Sequence, residues 1–511
     1  RSFCRFSHRE ADMTNKPNAG PAVSPEREEE PSLAGTGIQG LDTILGGGFP
    51  RNHAYLIQGR HGSGKTTLAL QFVLEGARKG ERCLYLATCE TEEEIREVAR
   101  SHGWSLDGVD VHFHDPRDTY LDGGGQSVFH PSEVELPRAM EAILERIESA
   151  KPRRLVIDSL SEIRLLSPDG RRFRHQVLAL KQTLARSGCT TLLCDDHPAA
   201  EQPVHSIVHG VVNLEQVVQD YGPDRRRVRV VKLRGMSHST GQHDFRIVTG
   251  GIQVFPRLAA TGLHRRFEAG TISSGVPALD DLFGGGIDRG SAPLFFGPSG
   301  CGKSTLATQY AVAAAARGER TAMYIFDERL QTLRHRARGL GMDLRGAEEE
   351  GLIELRQVDP AELSPGEFSH ILRTTMEDEG LDMVVIDSLA GYVHAMPDER
   401  SLTVHLHELL SYLGQQGVTT IMVMSQHGLP GASRHVPFDL SYIADSVLLF
   451  HSYEALGELR KAISVFKRRG GAHETPLREL RLLDPEGVWI GKPLREFRGI
   501  TTGIPELMRE E

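Results

Sequence analysis

Gly59-Arg60-His61-Gly62-Ser63-Gly64-Lys65-Thr66 and Gly297-Pro298-Ser299-Gly300-Cys301-Gly302-Lys303-Ser304 both fit G-x-x-x-x-G-K-[ST]. In such a loop the glycines let backbone N–H groups turn inward around phosphate oxygens. The lysine reaches the β- and γ-phosphates, and the final hydroxyl faces Mg²⁺. The residues expected to touch nucleotide are Gly59, Gly62, Ser63, Gly64, Lys65 and Thr66, then Gly297, Gly300, Cys301, Gly302, Lys303 and Ser304. Two loops imply two triphosphate sites, with ATP and Mg²⁺ as the expected ligands.

The repetition extends outward from the loops, which lie 238 residues apart. At that offset Leu41-Asp42 answers to Leu279-Asp280, and Gly46-Gly47-Gly48 to Gly284-Gly285-Gly286. Leu68, Ala69, Phe72 and Val73 match Leu306, Ala307, Tyr310 and Ala311, each set on one helical face. Further on, 155–159 matches 384–388, and 231–235 matches 466–470. Units of roughly 230 residues exceed any solenoid repeat and suit one α/β domain each. The expected organisation is a disordered tail over 1–34, a first domain over 35–256, a linker over 257–267, a second domain over 268–498 and a short tail over 499–511.

Composition narrows the function classes. A formal charge of −10 argues against bulk affinity for nucleic acid. The six cysteines show no C-x-x-C spacing, which points to free thiols in a reducing cytoplasm rather than zinc or disulfides. No apolar run reaches the roughly 18 residues that span a bilayer, and no secretory signal is visible. The chain starts at Arg1, so Met13 is a candidate natural start.

Short apolar runs alternate with helical patterns in both halves. Strands are expected at 55–58, 84–87, 155–158, 191–194 and 227–232, with helices at 65–79, 92–101, 133–150 and 175–187. The second half repeats this with strands at 294–296, 322–326, 383–387, 419–424, 447–450 and 463–467, and helices at 303–317, 331–340 and 402–415. Near-continuous Val/Ile/Leu strands between helices indicate a buried, mainly parallel sheet flanked by helices. Ligands in such folds sit beyond the carboxyl ends of the strands.

The chemistry falls at those ends. Asp158 and Asp387 each close an apolar strand, where a carboxylate orients Mg²⁺ beside Thr66 or Ser304; a turn cap is the alternative role. Glu90, Asp327 and Glu328 follow the next strand and are candidates to orient or deprotonate the attacking water. Their alternative is a solvated helix start, the reading given to Glu92, Glu93 and Glu94. Lys232 and Arg234, like Lys467 and Arg469, alternate along a strand. They either complete a neighbouring subunit's site or form an exposed basic edge. Cys301 reads as a small neutral loop residue, and His405 and His407 as structural.

Taken together, these residues resemble the KaiC family, the RecA-like clock ATPases with two tandem domains. The likeness covers about 33–498 and is most specific at Thr36-Gly37-Ile38-x-Gly40-Leu41-Asp42 and Ser273-Ser274-Gly275-Val276 with their triple glycines. It extends to Lys232-Leu233-Arg234-Gly235-x-Ser237-His238 and Ala462-Ile463-x-Val465-Phe466-Lys467-x-Arg469-Gly470. The resemblance implies tandem RecA-like P-loop domains in a double-layered homohexamer. ATP would lie between subunits, with Lys232, Arg234, Lys467 and Arg469 reaching across. It further implies an ATPase first domain, a second domain able to phosphorylate its own serine or threonine, and a regulatory protein partner.

Three departures qualify it. The family's acidic pair is Asp327-Glu328 in the second domain but Cys89-Glu90 in the first. Its Ser-Thr acceptors align with Ser441-Tyr442, leaving Ser441 as the one acceptor. The chain ends at Glu511, short of the family's long C-terminal tail. A signalling or stress-response ATPase is expected rather than a complete oscillator. The competing class is a DNA-dependent RecA- or helicase-type ATPase of recombination or repair, which salt-sensitive binding to single-stranded DNA would mark.

Overall fold

A computed structural model describes residues 32–113, 131–166, 170–196, 203–218, 222–258, 267–359, 361–394, 399–426, 440–455, 457–500 and 506–508. Each half is built on one nine-stranded sheet. Across the first sheet the strands run Gly251–Phe255, His243–Val248, Arg225–Leu233, Gly210–Val217, Ala54–Gln58, Thr190–Asp195, Arg154–Asp158, Cys83–Ala87, Val109–Phe113. From Gly210–Val217 onward every pairing is parallel, while the three strands before it add on antiparallel. The second sheet, read from its parallel edge, has the same topology: Ile353–Gln357, Thr321–Ile325, Met383–Asp387, Thr419–Ser425, Pro293–Gly297, Ser446–Ala455, Glu458–Arg468, Arg478–Leu483, Gly487–Pro493. The duplication seen in sequence is thus a duplication of fold.

Burial on both faces explains the apolar strands. Successive side chains point to opposite sides of a strand. Tyr55 and Ile57 accordingly pack with Leu68, Phe72 and Val73 of the helix Lys65–Arg78. Leu56 faces the other way, against Ile143, Ile147, Val177 and Leu180 from the helices Pro131–Ala150 and Gly170–Arg186. The second half has matching layers, with Phe295 among Leu306, Tyr310 and Ala311, and Leu294 and Phe296 among Leu406, Leu409 and Leu413.

One charge breaks the apolar pattern. Arg154 opens its strand wholly buried, at 0% exposure. Its guanidinium donates to Glu81 Oε2 at 2.8 Å, to Gly35 O at 2.7 Å and to Phe72 O at 2.8 Å, and lies 4.7 Å from the Phe72 ring centre. A buried charge is tolerable only when paired and hydrogen-bonded, as here. Burial alone would raise the Glu81 carboxyl, but the hydrogen bonds from Arg51 and Arg154 lower it to about 2.

Of the antiparallel extensions, Arg225–Leu233 and Glu458–Arg468 contain the expected strands 227–232 and 463–467, whereas His243–Val248, Gly251–Phe255, Arg478–Leu483 and Gly487–Pro493 were not expected, nor were Gly210–Val217 and the outermost parallel strands Val109–Phe113 and Ile353–Gln357. Gly210–Val217 carries Asn213, Glu215 and Gln216, and His243–Val248 carries Asp244 and Arg246, so neither reads as a buried run. The helix Pro365–Glu379 was also missed, despite a readable start: Ser364 accepts from the Glu367 N–H and proline takes the first turn. Leu33–Ala34, expected in the tail, pairs with Phe49–Pro50, and Ala34 is buried. At the other end Phe497–Arg498 pairs with Glu506–Leu507. Residues 1–31 of the expected tail and 259–266 of the expected linker lie outside the described residues.

The halves meet where the first sheet's added strands reach the second half. The Gly366 N–H donates to Asp244 Oδ2 at 2.9 Å, Arg246 pairs with Glu367, and the Phe255 and His370 rings sit 5.4 Å apart. Among the described residues no helix is long and apolar enough to cross a membrane.

Candidate nucleotide-binding sites

The strands Ala54–Gln58 and Pro293–Gly297 lie mid-sheet, and each runs straight into its glycine loop and then a helix starting at Lys65 or Lys303. The turn into the helix needs a left-handed residue, supplied by Gly64 at φ 99 and Gly302 at φ 103. Gly59 has a different reason: a Cβ there would stand 2.4 Å from Ser63 Oγ and 2.5 Å from Leu214 O.

Both lysines fold back over their own loops. Lys65 Nζ donates to Gly59 O at 2.9 Å and Arg60 O at 3.1 Å; Lys303 Nζ donates to Gly297 O at 3.0 Å and Pro298 O at 2.7 Å. Burial lowers the Lys303 ammonium. The sites part company at a third partner: Lys65 Nζ also pairs with Asp196 Oδ1 at 2.6 Å, whereas Lys303 makes no ion pair among the described residues.

The loop hydroxyls meet the strand-end aspartates. Thr66 Oγ1 donates to Asp158 Oδ2 at 2.8 Å, and Tyr85 OH donates to the same oxygen at 2.6 Å. Burial raises the Asp158 carboxyl against those two hydrogen bonds. In the second half burial pushes Asp387 up to about 6, opposed by a hydrogen bond from Ser304. The peptide bonds Asp158-Ser159 and Asp387-Ser388 are both cis.

These sites suit a nucleotide and a divalent cation. The buried Ser63 hydroxyl and the buried Asp387 Oδ2 have no hydrogen-bond partner, leaving a donor in one loop and a carboxylate oxygen beside the other unsatisfied. Thr66 with Asp158, and Ser304 with Asp387, would hold hydrated Mg²⁺. The loop N–H groups and Lys65 or Lys303 would hold the phosphates.

The three candidate carboxylates fare differently. Glu90 is half-buried, its Oε2 has no hydrogen-bond partner, and burial followed by the Asp158 charge raises it. Asp327 accepts a hydrogen bond from the Ser388 hydroxyl. Glu328 is clamped end-on by Arg336, with Nη1 to Oε1 at 2.5 Å and Nη2 to Oε2 at 2.8 Å. Glu92, Glu93 and Glu94 form the first turn of the helix Glu92–Ser101, where Thr91 and Glu94 make a capping box.

The basic pairs sit at the far end of the sheet. Leu233 is in register with Gly210, and Gly210 with Tyr55, so Lys232 and Arg234 lie level with the start of the strand that ends at the loop. Lys232 Nζ donates to His205 O at 2.6 Å and Val208 O at 2.9 Å, and Arg234 Nη2 to Ser206 O at 3.2 Å. The second half repeats the arrangement: Arg468 aligns with Ser446 and Ser446 with Pro293, Lys467 Nζ donates to Ala444 O at 2.8 Å, and Arg469 Nη2 to Tyr442 O at 2.5 Å.

Cys301 is buried, with Sγ 2.8 Å from Pro298 O, and burial pushes its thiol up. Ser441 falls in the helix Leu440–Ile443, and its side chain lies outside the described residues. Sequence reasoning missed Tyr85, Asp196 and Arg336. Asp196 carried a usable signal, since it follows an apolar strand, 190–195, as Asp158 ends one.

Two glycine-lysine loops, each at the carboxyl end of a central strand in a mainly parallel sheet, define a tandem RecA-like P-loop ATPase. The family described as "ATPase: KaiC" matches twice, over 34–259 and 272–495, and the chain belongs to the KaiC family. It is similar to circadian clock protein KaiC3 of Synechocystis, 28% identical over 92% of this chain and 94% of that protein. It is 29% identical to circadian clock oscillator protein KaiC of Synechococcus elongatus, over 92% and 91% respectively. The corresponding protein of Thermostichus vulcanus is 28% identical over 96% and 95%.

Proposed function

We propose that both halves bind ATP with Mg²⁺ and that each hydrolyses it. The observation that carries this is the joining of a P-loop hydroxyl to a strand-end aspartate in both halves, Thr66 to Asp158 and Ser304 to Asp387. Mg²⁺, when bound, supplies positive charge to the β- and γ-phosphate oxygens. The chain's own groups then do the rest. Lys65 and Lys303 leave their carbonyl partners for the phosphates. Glu90 in the first half, and Asp327 with Glu328 in the second, orient water and take its proton as the terminal phosphoryl bond breaks.

Neither basic pair can serve its own loop. Each lies about four strand residues from it, roughly 13 Å at the usual rise. Lys232, Arg234, Lys467 and Arg469 are therefore assigned to a neighbouring copy's nucleotide in a homohexameric ring, whose state a regulatory protein would read. In the second half the same site would transfer phosphate to a serine of the chain, with Ser441 as the acceptor. The domains proposed are 35–256 and 268–498.

Incubation with γ-labelled ATP and Mg²⁺ tests this, with released phosphate and protein-bound label followed together. Lys65→Ala is expected to remove one part of the turnover. Lys303→Ala should remove the other part and all protein-bound label. Label that persists in Lys303→Ala, or phosphopeptides without phosphate at Ser441, contradicts the kinase assignment.

A further inference from the structure

The acidic pair of the second half has only one member, Glu90, in the first, because Cys89 stands where Asp327 would. In the second half Asp327 engages the hydroxyl of Ser388, the residue after the strand-end aspartate. The matching hydroxyl of the first half, on Ser159, is engaged as well: it donates to Asp196 Oδ2 at 3.3 Å. The residue matching Asp196 in the second half is Ser425, which has no charge. One carboxylate thus reaches this serine in each half, Asp327 from the strand on one side of the aspartate strand and Asp196 from the strand on its other side.

Asp196 is placed to act on a bound triphosphate. Its strand, Thr190–Asp195, lies between the loop strand and the Asp158 strand. Gln58 is in register with Asp195, and the Gly59 N–H donates to Asp195 O at 3.2 Å. Oδ1 lies 2.6 Å from Lys65 Nζ. The turn is pinned by Ser161, whose hydroxyl accepts from the Asp196 N–H at 3.0 Å and donates to Asp195 Oδ1 at 3.1 Å. The side chain is 15% exposed. Burial would raise its carboxyl, but the Lys65 ammonium holds it below the usual range.

Resting on the ATPase reading of the first half, we propose that Asp196 supplies the carboxylate that Cys89 lacks and acts as a positioning residue for hydrolysis beside Glu90. When Lys65 turns to phosphate, Asp196 is released at the carboxyl edge of the sheet with its backbone still fixed by Ser161. It then stands beyond the strand on one side of Asp158, with Glu90 beyond the strand on the other side and Ser159 between them. A plain plug that only holds the lysine until nucleotide arrives would behave differently, because removing a plug strengthens binding and spares turnover.

The test uses the full chain carrying Lys303→Ala, so that turnover reports the first half, and measures kcat, KM and the affinity of a non-hydrolysable ATP analogue. Asp196→Asn, which keeps the shape, is expected to lower kcat at least tenfold while the analogue binds as tightly or more tightly. Adding Cys89→Asp is expected to restore at least a third of the lost turnover, because it rebuilds the second half's arrangement. A kcat within twofold of the parent overturns the proposal, as does a loss that Cys89→Asp leaves unrepaired. Analogue binding with no turnover in the Lys303→Ala parent overturns it too, and leaves nucleotide binding standing. Failure of the parent to bind the analogue at all refutes the underlying function instead.

Discussion

The Thr66 hydroxyl donates to Asp158 Oδ2 at 2.8 Å, joining the first glycine loop to a strand end 92 residues further along the chain. Tyr85 reaches the same oxygen from a third strand. A carboxylate partly withdrawn from water is costly unless a charge arrives to use it. The expected charge is the cation of a bound nucleotide.

Asp158→Asn should therefore separate stability from function. The amide keeps the shape and removes a partly buried negative charge, so the melting temperature in the absence of nucleotide is expected to hold or rise. First-half turnover, read in a Lys303→Ala background, is expected to fall at least a hundredfold, about 2.7 kcal/mol of transition-state stabilisation. Calorimetry and phosphate release check the two halves of this statement.

Glu328 and Arg336 form a two-pronged, partly exposed ion pair. Partly exposed pairs contribute about 1 kcal/mol or less. Arg336→Gln is expected to leave the fold intact and free Glu328 toward the nucleotide. Second-half turnover, measured with Lys65→Ala, should rise at least threefold. A fall would show that Arg336 positions Glu328 productively.

The Arg154–Glu81 pair gives a pH signature. Glu81 has its carboxyl lowered to about 2, so it binds fewer protons folded than unfolded below the usual carboxylate range. Its contribution is complete above about pH 4.5 and disappears as pH falls through about 2. Glu81→Gln should cost on the order of 2 kcal/mol at neutral pH, discounted from the full value of a buried pair because Glu81 is partly exposed. The difference between the parent and the variant should close as denaturation is followed down to about pH 2.

Arg469 tests whether the sites are shared. Mixing Arg469→Ala chains with Lys303→Ala chains is expected to recover second-half activity, since some neighbouring pairs would combine an intact loop with an intact arginine. No recovery at any ratio would place Arg469 on an exposed edge instead.

Much of this was legible in the residues. Lys65, Thr66, Asp158 and their second-half counterparts are short-range patterns whose chemistry forces their position at strand ends. The parallel core was readable because strands such as 54–58 and 383–387 are apolar on both faces. Strands 210–217 and 243–248 were not, because they are half-solvated and break the pattern with Asn213, Glu215, Asp244 and Arg246. Asp196 and Arg336 escaped for another reason. Their partners, Lys65 and Glu328, depend on how strand and helix ends converge in three dimensions, and no local spacing encodes that.

Titration of the full chain with a non-hydrolysable ATP analogue and Mg²⁺ tests the central claim most directly. Saturation is expected near two nucleotides per chain, falling to about one in either Lys65→Ala or Lys303→Ala, as two P-loops require. Saturation at one in the parent would remove a site, and the absence of saturable binding would contradict the account altogether.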